Sequence, residues 1–222
     1  MSAGVKSGPS VPATGRYVAT LAGLFAALFA VLAIRPFNRH DWALENALVV
    51  AAVLLLAWTW ARARLSASSY TLLFLFLCLH EIGSHYTYSE VPSDAWWQAL
   101  TGSTFNSLVG WERNNFDRVI HFSYGLLLAL PIRELVVPMA GVRGFWSYFL
   151  PLDLVISSSA LYELIEWGAA EFFGGELGAA YLGTQGDIWD AHKDMALASG
   201  GALVAVLWAG WWGGREGRYR LP

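Results

Sequence analysis

The sequence predicts an all-α, polytopic transmembrane bundle of about six spans, and three observations carry that prediction. Of 222 residues, 56% are hydrophobic and 14% charged, and the charged share is little more than half the ~25% usual in soluble domains. Several apolar stretches approach the roughly 20 residues that a helix needs to cross a bilayer. Much of the remaining charge gathers near the ends of those stretches.

Residues 1–16 are polar, carry Pro9 and Pro12, and read as a disordered N-terminal tail. The run Tyr17–Ile34 is longer than the core of a secretory signal, so it reads as a retained first span. Ala43–Trp60, Tyr70–Tyr86, Asp117–Val137, Phe145–Ala170 and Asp190–Trp212 follow as the other five. The third is purely apolar only from Leu72 to Leu79, and Asp153 and the serines from Ser157 to Ser159 interrupt the fifth. Between the third and fourth, Thr87 to Phe116 contains Trp96, Trp97 and Trp111, which suit a segment lying at the interface. Residues 17–212 thus form one six-span domain, and 213–222 a cytoplasmic C-terminal tail.

Cationic residues predict the orientation. Lys6, Arg16, Arg62, Arg64, Arg133, Arg143, Arg215, Arg218 and Arg220 would share one side, against Arg35, Arg39, Arg113, Arg118 and Lys193 on the other. The larger set places both termini in the cytoplasm under the positive-inside rule. No basic run suggests a nucleic-acid partner. Cys78, in an apolar run, has no second cysteine to pair with, and a thiolate metal site is not expected. The glycines of "GGELGAAYLGTQGD" lack the Gly-Lys-Ser/Thr ending of a P-loop, so neither a nucleotide nor an organic cofactor is indicated.

With odd spans running outward and even spans inward, four polar clusters meet at the non-cytoplasmic end. They are "LHEIGSHYTYSEVP", with His80, Glu81, Ser84, His85 and Tyr88; "NNFDRVIHFSYG", with Asp117, His121 and Tyr124; "SALYELIEWGAAE", with Ser159, Glu163, Glu166 and Glu171; and "GDIWDAHKDMALASGG", with Asp187, Asp190 and Asp194. Nothing about spanning a bilayer requires that coincidence. At 3.6 residues per turn, Glu81 and His85 lie within about 40° of one another, and the other three groups likewise form stripes. Ionisable groups in spans usually face the bundle interior or a water-filled cavity, so one outward-facing acidic pocket containing histidines is expected.

Two chemistries suit such a pocket. His80, His85, His121, Asp190 and Asp194 offer imidazole and carboxylate ligands for a divalent metal. Glu163, Glu166 and Glu81 offer acid–base catalysis, in which a protonated acid works beside an ionised carboxylate. "HEIGSH" is not a zinc-protease motif, because its second histidine stands at i+5 instead of i+4. Plainer roles compete. Asp187 and Asp117 suit helix caps, and a glutamate could pair structurally with Arg118 or Lys193.

"HEIGSHYTYSEVP", "NNFDRVIHFSYG", "SSSALYELIEW" and "YLGTQGDIWDAHKDMALA", with the earlier "RPFNRHDWALEN", resemble the YjdF family of bacterial inner-membrane proteins, whose function is unknown. The likeness runs from Arg16 to the end of the sixth span and implies a multi-pass inner-membrane location. The last three spans are also similar, more distantly, to the VanZ-type pattern linked to glycopeptide tolerance, with Asp194 where that pattern has asparagine.

Three functions follow as expectations. The first is an enzyme of the outer leaflet acting, with metal assistance, on a lipid or lipid-linked envelope precursor. The second is a structural or binding protein whose polar cluster locks helix ends together. The third is a proton-coupled carrier, although carrier sites usually lie near the midplane.

Overall fold

The structure, a computed structural model, describes residues 13–60, 63–175, 178, 182 and 184–215. Residues 1–12 of the expected tail, Arg62, Gly183 and residues 216–222 lie outside the described residues.

Six helices are long and apolar enough to cross a membrane. They are α1 (Gly15–Leu32), α2 (Arg39–Trp60), α3 (Ala67–His85), α6 (Phe116–Ala140), α7 (Trp146–Phe173) and α8 (Asp190–Arg215). Two short helices, α4 (Ser93–Thr101) and α5 (Phe105–Val109), fill the long connection, with Trp96, Trp97 and Trp111 exposed. Every expected span is present, and no strand occurs among the described residues.

Local chemistry sets the helix starts. The Thr14 hydroxyl accepts from the Tyr17 amide at 3.3 Å to open α1, and Ser66 accepts from the Ser69 amide at 3.2 Å to open α3; each satisfies an otherwise orphaned amide of the first turn. Asn38 Oδ1 takes the amides of His40 and Asp41 at 3.0 and 3.3 Å, so α2 begins four residues before the apolar run and brings Asp41 into the bundle. The serines of α7 do not interrupt it. Ser158 Oγ donates to the Leu154 and Val155 carbonyls at 2.5 and 3.1 Å, satisfying the hydroxyl without breaking the backbone ladder.

The tightest crossing joins α6 and α8. A Cβ on Gly125 would overlap the Ala198 backbone, and one on Gly201 would overlap the backbone at Phe122. Without a hydrophobic drive between helices in lipid, such close approach of small residues maximises van der Waals contact. Ala129, Val155, Ala202, Ala205 and Val206 continue the seam as a buried core. Helix α7 packs on both partners, α3 packs on α6, and α1 and α2 pack on α3.

At the end away from the polar clusters, structural pairs dominate. Glu134 of α6 accepts from the Ser66 amide and hydroxyl at 2.8 and 2.9 Å and from the Ser69 hydroxyl, capping α3 across the interface. Arg133 donates to the Ser147 carbonyl at 2.9 Å and lies 4.6 Å over the Tyr148 ring.

Candidate functional site: an acidic cavity and a candidate metal triad

Because successive spans alternate in direction, the start of α2, the end of α3, the start of α6, the end of α7 and the start of α8 share one end of the bundle. A cavity of about 350 Å³ opens there, lined by Asp41, Glu45, His80, Tyr88, Asp117, His121 and Glu166 on its polar side. The rest of the lining is largely apolar and includes Leu48, Val49, Ala52, Leu128, Leu161 and Ile165.

Three side chains converge beside it. Ligand atoms of Asp117, His121 and Asp194 all lie within 4.8 Å of one another. One ion holds its ligand atoms roughly 3–4 Å apart, so with small side-chain adjustments the set could hold a single cation. His121 Nε2 stands 3.4 Å from Asp117 Oδ1 and 3.8 Å from Glu163 Oε1. Asp194 is 2% exposed, and its Oδ1 has no hydrogen-bond partner among the described residues; the same holds for Glu163 Oε1. The α6–α8 crossing creates this grouping, since His121 and Asp194 each lie one turn before a residue of the closest contact, Gly125 and Ala198 respectively.

The sequence-derived candidates distribute unevenly. His121, Asp194 and Glu163 come together, and Glu166 lines the cavity. His80 also lines it, with Nδ1 2.7 Å from the Tyr88 hydroxyl and Nε2 unpartnered among the described residues. His85 is elsewhere: its Nδ1 lies 2.6 Å from the Leu32 carbonyl, tying the end of α3 to the end of α1. Asp190 is occupied by arginines, with Arg113 at 2.6 Å and Arg118 at 3.7 Å. Glu81 is fully buried on α3, outside the cavity lining, and both its oxygens lack partners among the described residues.

Asp187 does what a cap does, Oδ1 accepting from the Trp189 amide at 3.0 Å. It also binds both Arg118 and Lys193 at 2.5 Å. Those hydrogen bonds and charges, Lys193 foremost, hold its carboxyl down at about 2. The arginines and the lysine therefore pair with the aspartates of α8 and its approach loop rather than with the glutamates.

Sequence reasoning passed over Asp41, Glu45, Tyr162 and the ligand role open to Asp117. Tyr162 lies 3.3 Å from Glu45 Oε2, joining α7 to α2. The i, i+4 spacing of Asp41 and Glu45 at the start of a span was the available signal. Tyr88 reaches the cavity through an unusual turn, in which Thr87 and Tyr88 both have positive φ, 52° and 51°. Such backbone is costly for residues with a Cβ. It folds the ring back over Gly83, where any Cβ would collide with it. Burial pushes the Tyr88 phenol well above its ordinary value, and the carboxylates of Glu45, Asp117, Glu166 and Asp41 raise it further.

Comparison with known proteins gives the lineage. Inner membrane protein YjdF of Escherichia coli (strain K12) is 38% identical over 181 residues, covering 80% of this chain and 82% of that protein. No solved structure matches. The family described as predicted membrane protein (DUF2238) matches residues 17–215, and with six helices fit to span a bilayer the chain belongs to that family of membrane proteins.

Proposed function

We propose that this protein binds a divalent cation at Asp117, His121 and Asp194 and acts on a lipid or lipid-linked envelope substrate at the outer leaflet of the inner membrane. The observation that carries this reading is the buried, unpartnered Asp194 Oδ1 within 4.8 Å of the His121 and Asp117 ligand atoms. A carboxylate oxygen kept from water normally has a partner, and a cation supplies one to all three side chains at once. One imidazole with carboxylates suits Mn²⁺, Fe²⁺ or Zn²⁺ better than a soft metal. A bound cation would polarise a substrate oxygen or activate water. Glu163, 3.8 Å from His121 Nε2, and Glu166, on the cavity wall, would serve as the acid–base pair. The mixed lining suits an amphipathic substrate, polar head toward the carboxylates and chain along the leucines.

Elemental analysis of detergent-purified protein, prepared without chelator, tests this. Close to one Mn, Fe or Zn per chain is expected, falling to background in His121→Ala and Asp194→Asn with an unchanged size-exclusion profile. Wild-type protein at background would sink the metal reading. Catalysis is tested separately: closed vesicles containing wild-type protein should show altered lipid, and those containing Glu163→Gln should not.

A structural lock is favoured for one part of the polar set. Arg113–Asp190 and Arg118–Asp187 are spaced as helix-end clasps, and their loss would unfold the corner where the α5–α6 connection and the start of α6 meet the start of α8 rather than disable chemistry.

A further inference from the structure

We infer that the cavity selects an amphipath with a positively charged amine head, a class that includes aminophospholipids. The inference deepens the proposed function and rests on its reading of this cavity as the substrate site.

Charge is the first argument. The described lining holds Asp41, Glu45, Asp117 and Glu166 and no lysine or arginine. The nearby cations are engaged elsewhere, Arg113 on Asp190 and both Arg118 and Lys193 on Asp187. Carboxylates held out of water keep their charge only against a positive partner. A single cation at the Asp117–His121–Asp194 set leaves Asp41, Glu45 and Glu166 with no cationic side chain in the described lining, Glu45 meeting only the neutral Tyr162 hydroxyl at 3.3 Å. An ammonium head answers them, whereas a head without a cation leaves them unanswered.

Hydrogen bonding is the second. His80 is 6% exposed and lines the cavity. Its Nδ1 lies 2.7 Å from the Tyr88 hydroxyl and its buried Nε2 has no hydrogen-bond partner among the described residues, so in the tautomer protonated at Nδ1 that nitrogen accepts. An ammonium carries up to three N–H donors and no acceptor, which matches a wall of acceptors. Phe76, Tyr88, Tyr124 and Tyr162 add aromatic faces, which attract cations. The leucine-rich wall accounts for the tail.

The test is ligand-induced thermal stabilisation of purified protein with three probes: dihexanoyl phosphatidylethanolamine, dihexanoyl phosphatidylglycerol and free ethanolamine. Saturable stabilisation by the first at concentrations at least ten-fold below either of the others is expected. In Glu45→Gln and Asp41→Asn that preference should fall at least ten-fold. Phosphatidylglycerol binding as well as phosphatidylethanolamine would overturn the inference, as would ethanolamine alone matching the lipid. The wild-type comparison stands even if a variant fails to fold. Metal content of the same samples separates the two readings. Metal retained without a headgroup preference overturns this inference alone; an amine preference in metal-free protein supports it and overturns the metal.

Discussion

Gly125 of α6 lies against the Ala198 backbone of α8 so closely that no other residue fits there. One turn earlier on the two helices stand His121 and Asp194, two of the three side chains grouped for a cation. The same contact that holds the bundle together therefore sets the spacing of the candidate site.

Adding a methyl group at that crossing should be felt in both places. Gly201→Ala, which drives a Cβ into the Phe122 backbone, is expected to destabilise by roughly 1–3 kcal/mol, the usual cost of overpacking. Thermal unfolding in detergent measures it. Metal retention should fall in parallel, while Gly23→Ala, where a Cβ meets nothing within 4 Å, should change neither.

Removing the proposed cation should lower stability by an amount set by its affinity. Binding to the folded state alone contributes about 2.7 kcal/mol at a free ligand concentration one hundred times Kd. Dialysis against chelator should lower the Tm of wild type, and readdition of Mn²⁺ or Zn²⁺ should restore it. Asp117→Asn should be insensitive to both treatments.

Arg113→Ala strands Asp190, whose side chain is 5% exposed, with only Arg118 at 3.7 Å. Breaking one side of a buried pair costs on the order of 3 kcal/mol, and the remaining arginine reduces that. Protease cleavage near residues 184–189 should accelerate, and Arg113→Lys should recover only part of the loss: Nη1 serves both the Thr184 carbonyl and Asp190, but a lysine has no counterpart of the Nε that donates to the Asn114 carbonyl at 3.2 Å.

Asp187 predicts a pH window. Its folded carboxyl is held down at about 2 against an ordinary 3.8, so its contribution is present above pH ~4 and lost as pH falls through 2. The Tm difference between wild type and Asp187→Asn should stay constant from pH 7 to 4 and shrink toward pH 2. A difference already gone at pH 4 would contradict the clasp.

Gly83→Ala should displace the Tyr88 ring and break its contact with His80. A destabilisation of about 1–3 kcal/mol is expected from the clash. Tyr88→Phe, which removes only the hydroxyl, should be milder in stability, and the double variant should show that the two losses are not additive.

The amino-acid sequence alone determined the class, the six spans and the end of the bundle at which polar groups gather. Those properties follow from hydrophobic length and from the two-way alternation of consecutive spans, both readable one residue at a time. It also brought forward His121, Asp194, Glu163 and Glu166, because ionisable side chains inside an apolar run are conspicuous. Tertiary structure alone decided which of them meet. His85 and His121 look equivalent on their own helices, yet one lies beside the Leu32 carbonyl and the other sits among carboxylates. Asp190 and Asp194 share a helix stripe, yet Arg113 occupies the first, while Oδ1 of the buried second has no hydrogen-bond partner among the described residues. Those outcomes depend on how far apart α6 and α8 stand and on where a connecting loop returns. Distances of that kind arise from Gly125 and Gly201 packing against a neighbouring backbone, and no periodicity within a single helix encodes them.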